Sequence, residues 1–126
     1  MLVEEKIENK EIAKQYKELL RISYQHLRTE DKKLIRLAFN TAVDAHKHQR
    51  RKSGEAYIFH PISVAKIVAS EIGLDSTSIS AALLHDTIED TKYNLVDIEK
   101  LFGKNVTKIV SGLTKISRLN KDTDIS

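Results

Sequence analysis

The stretch Ala81-Ala-Leu-Leu-His85-Asp86-Thr-Ile-Glu89-Asp90 sets four ionisable groups directly behind a short apolar run. Ala81 to Leu84 reads as buried helix, and the pattern predicts that the same helix continues through Asp90. At roughly 100° per residue, His85 and Glu89 then share one face, with Asp86 and Asp90 beside them. Three carboxylates near a helix C-terminus oppose the macrodipole, which favours cations there. A local rule broken without structural gain marks a candidate functional site. A divalent cation would offset the cost, since it attracts carboxylates and takes a neutral imidazole as ligand.

Working outward, helix formers dominate, and the whole chain holds one proline and four glycines, so the predicted fold class is all-α. Ile12, Tyr16, Leu19, Leu20 and Leu27 form a stripe at helical spacing in an N-terminal helix from about Glu4 to Leu27. Thr29-Glu-Asp is a capping signal for a second helix through Leu34, Ile35, Ala38, Phe39 and Ala42. Tyr57-Ile-Phe59 reads as a short extended piece, and Pro61 suits the first turn of a third helix that runs to about Ile72. That helix is apolar on most sides, which predicts a central place. Gly73 stops it, and Asp75-Ser-Thr-Ser offers caps for the fourth helix, which carries the ionisable cluster. Asn94 with Asp97 resembles a capping box for a short helix ending at Phe102-Gly103. Val106, Ile109, Val110, Leu113 and Ile116 define a last helix. About six helices are expected: an N-terminal helix in 1–28, a motif-bearing core in 29–119 and a polar loop end in 120–126. A chain that stops in a loop with no closing element reads as C-terminally incomplete.

The 126 residues suffice for one domain with a real core. An apolar content of 40% with 31% charged residues fits a globular chain. No long uncharged apolar run or signal-peptide pattern occurs, so a membrane or secretory role is not expected and a cytoplasmic location is. The absence of cysteine excludes disulfides, iron–sulfur clusters and thiolate zinc sites. A net charge of +3 is mild, but His46-Lys-His-Gln-Arg-Arg-Lys52 is a local basic cluster.

Adjacent His85 and Asp86 cannot enclose an ion alone, and His60, fixed just ahead of Pro61, is the best additional ligand. An isolated His-Asp pair is common by chance; the Glu89-Asp90 extension behind an apolar run is what points to metal chemistry. Arg51, Lys52 and Ser53 place two cations and a hydroxyl beside Gly54 and near His60, as a phosphate-bearing ligand requires. His26, His46 and His48 are expected at the surface. Nucleic-acid binding through His46 to Lys52 is not expected, because the patch is short and lacks interleaved aromatics.

With these residues laid out, the chain resembles the hydrolase domain of the RelA/SpoT homologue family, enzymes of (p)ppGpp metabolism within the HD phosphohydrolase superfamily. The resemblance runs from about Ala38 to Leu119. It rests on Arg51-Lys-Ser-Gly-Glu-Ala-Tyr-Ile-Phe-His60-Pro61, on Ala81-Ala-Leu-Leu-His-Asp-Thr-Ile-Glu-Asp-Thr91, and on Phe102-Gly103 followed by Gly112-Leu-Thr-Lys115. It implies an HD-type helical bundle and a Mn²⁺-dependent removal of the 3′-pyrophosphate from ppGpp or pppGpp, giving GDP or GTP, as in the stringent response. Carried over by position, His60, His85 and Asp86 match metal ligands. Glu89 and Asp90 match the acidic pair that acts on the nucleophilic water, and Arg51, Lys52 and Ser53 match the loop that holds the guanine nucleotide.

Ala56 stands where the family usually has proline, and His48 where it usually has glycine. The family's fourth metal ligand, an aspartate in a motif like Ala-Asp-Arg-Leu-His-Asn, has no counterpart, and Asp122 and Asp124 lie in the wrong context to replace it. The expectation is therefore an N-terminal fragment of a hydrolase or bifunctional synthetase/hydrolase. It would hold one Mn²⁺ weakly, show little activity alone, and be joined in its parent to synthetase and regulatory domains. The alternative is a non-catalytic guanine-nucleotide-binding or regulatory module. Glu89 and Asp90 discriminate, since a pure binder has no use for that repulsion.

Overall fold

The computed structural model describes the backbone at 2–23, 27–72, 75–89 and 91–123, and the side chains at 6–23, 27–70, 75–89 and 91–115. Five helices form within it: α1 (Leu2–Ser23), α2 (Thr29–Ala45), α3 (Phe59–Ile67), α4 (Ser76–Leu84) and α5 (Leu95–Thr123). No strand occurs among the described residues; an isolated antiparallel bridge joins Arg50 and Ala56. The six expected segments are recognisable, because α5 merges two helices across a kink at Gly103, where φ is 85° and ψ is 175°. The second of them runs to Thr123, into the stretch expected to be loop. No proline or glycine stands between Gly112 and Thr123 to stop it.

Local signals place the helix starts. Asp75 caps α4 by accepting from Ser78 N–H at 3.1 Å. Asn94 and Asp97 exchange two bonds, at 3.0 and 2.9 Å, as a reciprocal cap on α5. At α2 the cap lies one residue earlier than Thr29: the Arg28 N–H donates to Asp31 Oδ2 at 2.9 Å. Asp31 Oδ1 also accepts from Ser76 Oγ at 2.7 Å, which ties the starts of α2 and α4 together. Tyr57 to Phe59 is not extended. Ile58 has helical dihedrals and caps α3, so the β-propensity of Tyr-Ile-Phe yields to the helix that follows.

The centre of the fold is α4, not α3 as expected. It packs against α2, α3 and α5. Ser76 and every residue from Ile79 to Leu84 are buried. Ile79, Leu83 and Leu84 are each inaccessible, and burying such side chains contributes about 1.5–3 kcal/mol apiece. By contrast α3 leaves Ile67 exposed and opens into a π-helical stretch at Val68–Ile72. α1 lies across α3 and that π stretch, stacks Tyr16 on Phe39 of α2, and is held to α3 by Lys66, 2.8 Å from Glu18. In α5, Ile98, Phe102, Val106 and Val110 recur every fourth residue and are all buried, so one apolar stripe continues through the Gly103 kink. No described helix is long and apolar enough to cross a membrane.

Candidate metal centre

The expected continuation of α4 through Asp90 does not occur. The helix ends at Leu84, and His85 to Glu89 form turns. His85 Nδ1 lies 2.6 Å from the Ala82 carbonyl, the acceptor that a continuing helix would offer to the Asp86 N–H. Thr87 N–H instead reaches back three residues to Leu84 at 2.9 Å, and Glu89 N–H to Asp86 at 3.3 Å. Carboxylates in this last stretch work against extension, as the dipole argument requires. The consequence is chemical. The single bond to Ala82 fixes Nδ1 as the N–H of neutral His85 and turns the Nε2 lone pair outward.

That Nε2 lies 3.1 Å from Asp86 Oδ2. His60, in the first turn of α3, brings its Nε2 to 3.6 Å from the same oxygen. The two imidazole centroids are 5.5 Å apart. One ligand atom from each of His60, His85 and Asp86 lies within 4.8 Å of the others, and all three residues are half-buried. With bonds of about 2.0–2.2 Å to imidazole nitrogen and carboxylate oxygen, neighbouring ligand atoms of one ion stand about 3–3.6 Å apart. The observed spacing fits a divalent cation with coordination positions left open.

The electrostatics suit the same use. Burial opposes charge on Asp86, but the hydrogen bonds to His85 and Tyr57 outweigh it and hold the carboxyl down to about 2. Burial likewise opposes charge on His85, yet bonds to Asp86 and to the Ala82 carbonyl raise its pKa. His60 is shifted down, chiefly by burial, toward the neutral form that ligates. Proton and cation thus compete for His85 Nε2.

Glu89 is half-buried on the turn beyond, close enough for its charge to act on His85 and Tyr57. Asp90 lies outside the described residues, as does His26. Arg51, Lys52 and Ser53 stand on an exposed loop that Gly54 closes at φ 104°. The Arg51 N–H donates to the Glu55 carbonyl at 2.9 Å and the Gly54 N–H to the Arg51 carbonyl at 2.9 Å. Glu55 also takes Ser53 Oγ at 2.6 Å and lies 3.6 Å from Arg51 Nε. Arg51 is near enough for its charge to lower the pKa values of His60 and Tyr57. Arg50 turns away and forks onto Glu8 of α1 at 2.5 and 3.0 Å.

Two residues depart from expectation or were missed. His46 is not at the surface: it is buried, with Nδ1 2.7 Å from Gln49 Oε1. Its neighbour His48 is exposed, as expected. Tyr57, not among the expected site residues, donates its hydroxyl to Asp86 Oδ2 at 2.7 Å.

A helical scaffold that presents a His-Asp pair behind a buried helix, with a second histidine from the helix beside it, is matched over residues 38–125 by the model of one family, described as "HD domain". The chain belongs to the HD domain family. Among curated proteins, this HD domain is 51% identical over 87 residues to the bifunctional (p)ppGpp synthase/hydrolase SpoT of Escherichia coli K12, covering 69% of the chain and 12% of that protein. It is 47% identical over 85 residues to the guanosine-3′,5′-bis(diphosphate) 3′-pyrophosphohydrolase of Aquifex aeolicus, covering 68% and 12%. A probable GTP pyrophosphokinase of Mycobacterium leprae is 46% identical over 86 residues, covering 68% and 11%. The matched part is thus about a tenth of these relatives' length. Among solved structures, a metazoan SpoT ortholog described as hydrolysing ppGpp aligns with a TM-score of 0.61 at 33% identity, over 71% of this chain and 49% of that one.

Proposed function

We propose that this HD domain is the N-terminal hydrolase part of a (p)ppGpp synthetase/hydrolase, and that it removes the 3′-pyrophosphate of ppGpp or pppGpp by hydrolysis. The convergence of His60, His85 and Asp86 within 4.8 Å carries the reading. The hydrolases and the bifunctional enzyme among its relatives support the substrate class.

In this reading the two Nε2 atoms and the Asp86 carboxylate hold one divalent ion, Mn²⁺ by the resemblance. Such an ion polarises a phosphoryl oxygen and lowers the pKa of water bound to it. The rest falls to the chain's own groups. Glu89 and Asp90 orient the attacking water and accept its proton as it adds to the phosphorus. Arg51 and Lys52 neutralise the phosphates, and the Ser53 hydroxyl adds a donor. Glu55 engages Arg51 and Ser53 in the free protein, so an incoming phosphate replaces one carboxylate. The His85–Ala82 bond keeps Nε2 available without rearrangement.

The test is pyrophosphate release from ppGpp by the full-length protein that contains these residues, with and without Glu89→Gln plus Asp90→Asn. The double variant is expected to lose turnover while its melting temperature holds. Near-normal rates in that variant would refute the assigned chemistry.

A further inference from the structure

We propose that Tyr57 is a positioning residue that sets the Asp86 carboxylate for metal binding and couples it to the Arg51–Ser53 loop. The inference rests on the metal-centre reading above and adds to it a residue that touches neither ion nor substrate.

The hydroxyl of Tyr57 donates to Asp86 Oδ2 at 2.7 Å, and that same oxygen faces His85 Nε2 at 3.1 Å and His60 Nε2 at 3.6 Å. A carboxylate rotates freely about its last bond unless something holds one oxygen. The phenol does so and leaves further lone pairs on that oxygen for a cation. Groups bonded to a ligand in this way orient it, and their loss typically weakens metal binding about 10–100-fold.

The ring is itself held on two sides. His60 meets it edge-on with centroids 5.8 Å apart, and His46 lies 4.8 Å away at 38°. His46 is buried and bonded to the Gln49 side chain, whose backbone carbonyl accepts the Tyr57 N–H at 3.0 Å. Between Gln49 and Tyr57 the chain closes through the Arg50–Ala56 bridge and the Arg51–Glu55 bond. Tyr57 therefore stands at the foot of the phosphate-side loop with its far end on a metal-facing carboxylate. A shift of the loop is transmitted to Asp86 through one rigid side chain. This also gives buried His46 a role as the wall behind the ring.

The experiment titrates Mn²⁺ alone into the 126-residue chain, reading free ion by electron paramagnetic resonance, for wild type, Tyr57→Phe, Tyr57→Leu and His85→Ala. Melting temperatures are recorded without metal. The expected result is one site in wild type, loss of it in His85→Ala, and about tenfold weaker binding in Tyr57→Phe at an unchanged melting temperature. Tyr57→Leu should bind no better than Tyr57→Phe, because the hydroxyl and not the ring holds the carboxylate. Wild-type affinity in Tyr57→Phe alongside lost binding in His85→Ala overturns this inference and leaves the metal-centre reading standing. Failure of Tyr57→Phe to fold also overturns it, since the hydroxyl would then serve the fold. No binding in wild type, or unchanged binding in His85→Ala, overturns the metal-centre reading and this inference with it.

Discussion

Gly103 and Gly112 lie on the same helical run and both have open space where a Cβ would go, yet alanine at the two positions should change stability in opposite directions. At Gly103, φ 85° and ψ 175° fall in a region that side chains other than glycine rarely occupy. Holding alanine there costs about 1–3 kcal/mol. The stiffer unfolded chain returns about 0.4–1 kcal/mol, which leaves a net loss of about 0.5–2 kcal/mol. Gly112 sits inside regular helix, where alanine is favoured by about 0.5–1 kcal/mol. The two variants should therefore differ by about 1–3 kcal/mol. For a chain of this size, each kcal/mol moves the midpoint by about 3–6 °C. Thermal melts followed by circular dichroism, with urea titrations to check cooperativity, measure both shifts. Shifts of the same sign, or a Gly103→Ala variant more stable than wild type, would refute the kink and the reasoning built on it.

Asp75→Ala removes the cap of the central helix and should cost about 1 kcal/mol in urea unfolding, with Asp75→Asn much closer to wild type. Asp44 is held below its ordinary carboxyl range, first by the Tyr93 hydroxyl at 2.7 Å and then by Lys92 at 3.0 Å. Its folded pKa is depressed, so it contributes stability at neutral pH that is lost as pH falls below about 4. Asp44→Asn should flatten that part of the acid unfolding profile, and an unchanged slope would remove Asp44 from the account. Burial and then the bond to Asp44 push Tyr93 up to about 12. An ultraviolet phenolate titration should show it ionising later than an ordinary tyrosine, and Asp44→Asn should bring it part of the way back.

What could be read from the chain was what short-range chemistry writes into it. Asp75, Asn94 with Asp97, and Gly103 mark helix starts and a bend because their capping partners or dihedral demands lie within a few residues. The apolar periodicity of α2, α4 and α5 gave the all-helical class for the same reason. His60, His85 and Asp86 were singled out in advance, and their side chains do converge. The misreadings were tertiary. Nothing near His46 announces that Tyr57 will cover it, and Tyr57 finds its carboxylate 29 residues away. The end of α4 at Leu84 was missed because no glycine or proline stands there; the stop comes from a side chain, His85, taking the Ala82 carbonyl. Tyr57-Ile-Phe59 was misassigned because its intrinsic preference is overridden by the helix it enters.

The π-helical turn at Val68–Ile72 bears on how this scaffold tolerates changes in length. Such a turn carries one residue more than the α-helical turn it replaces. Deleting a residue there restores ordinary pitch, and the slack is taken up downstream. His60, at the opposite end of α3, keeps its register. The fold thus holds an expansion joint behind the site, where insertions and deletions can be absorbed without moving the imidazole.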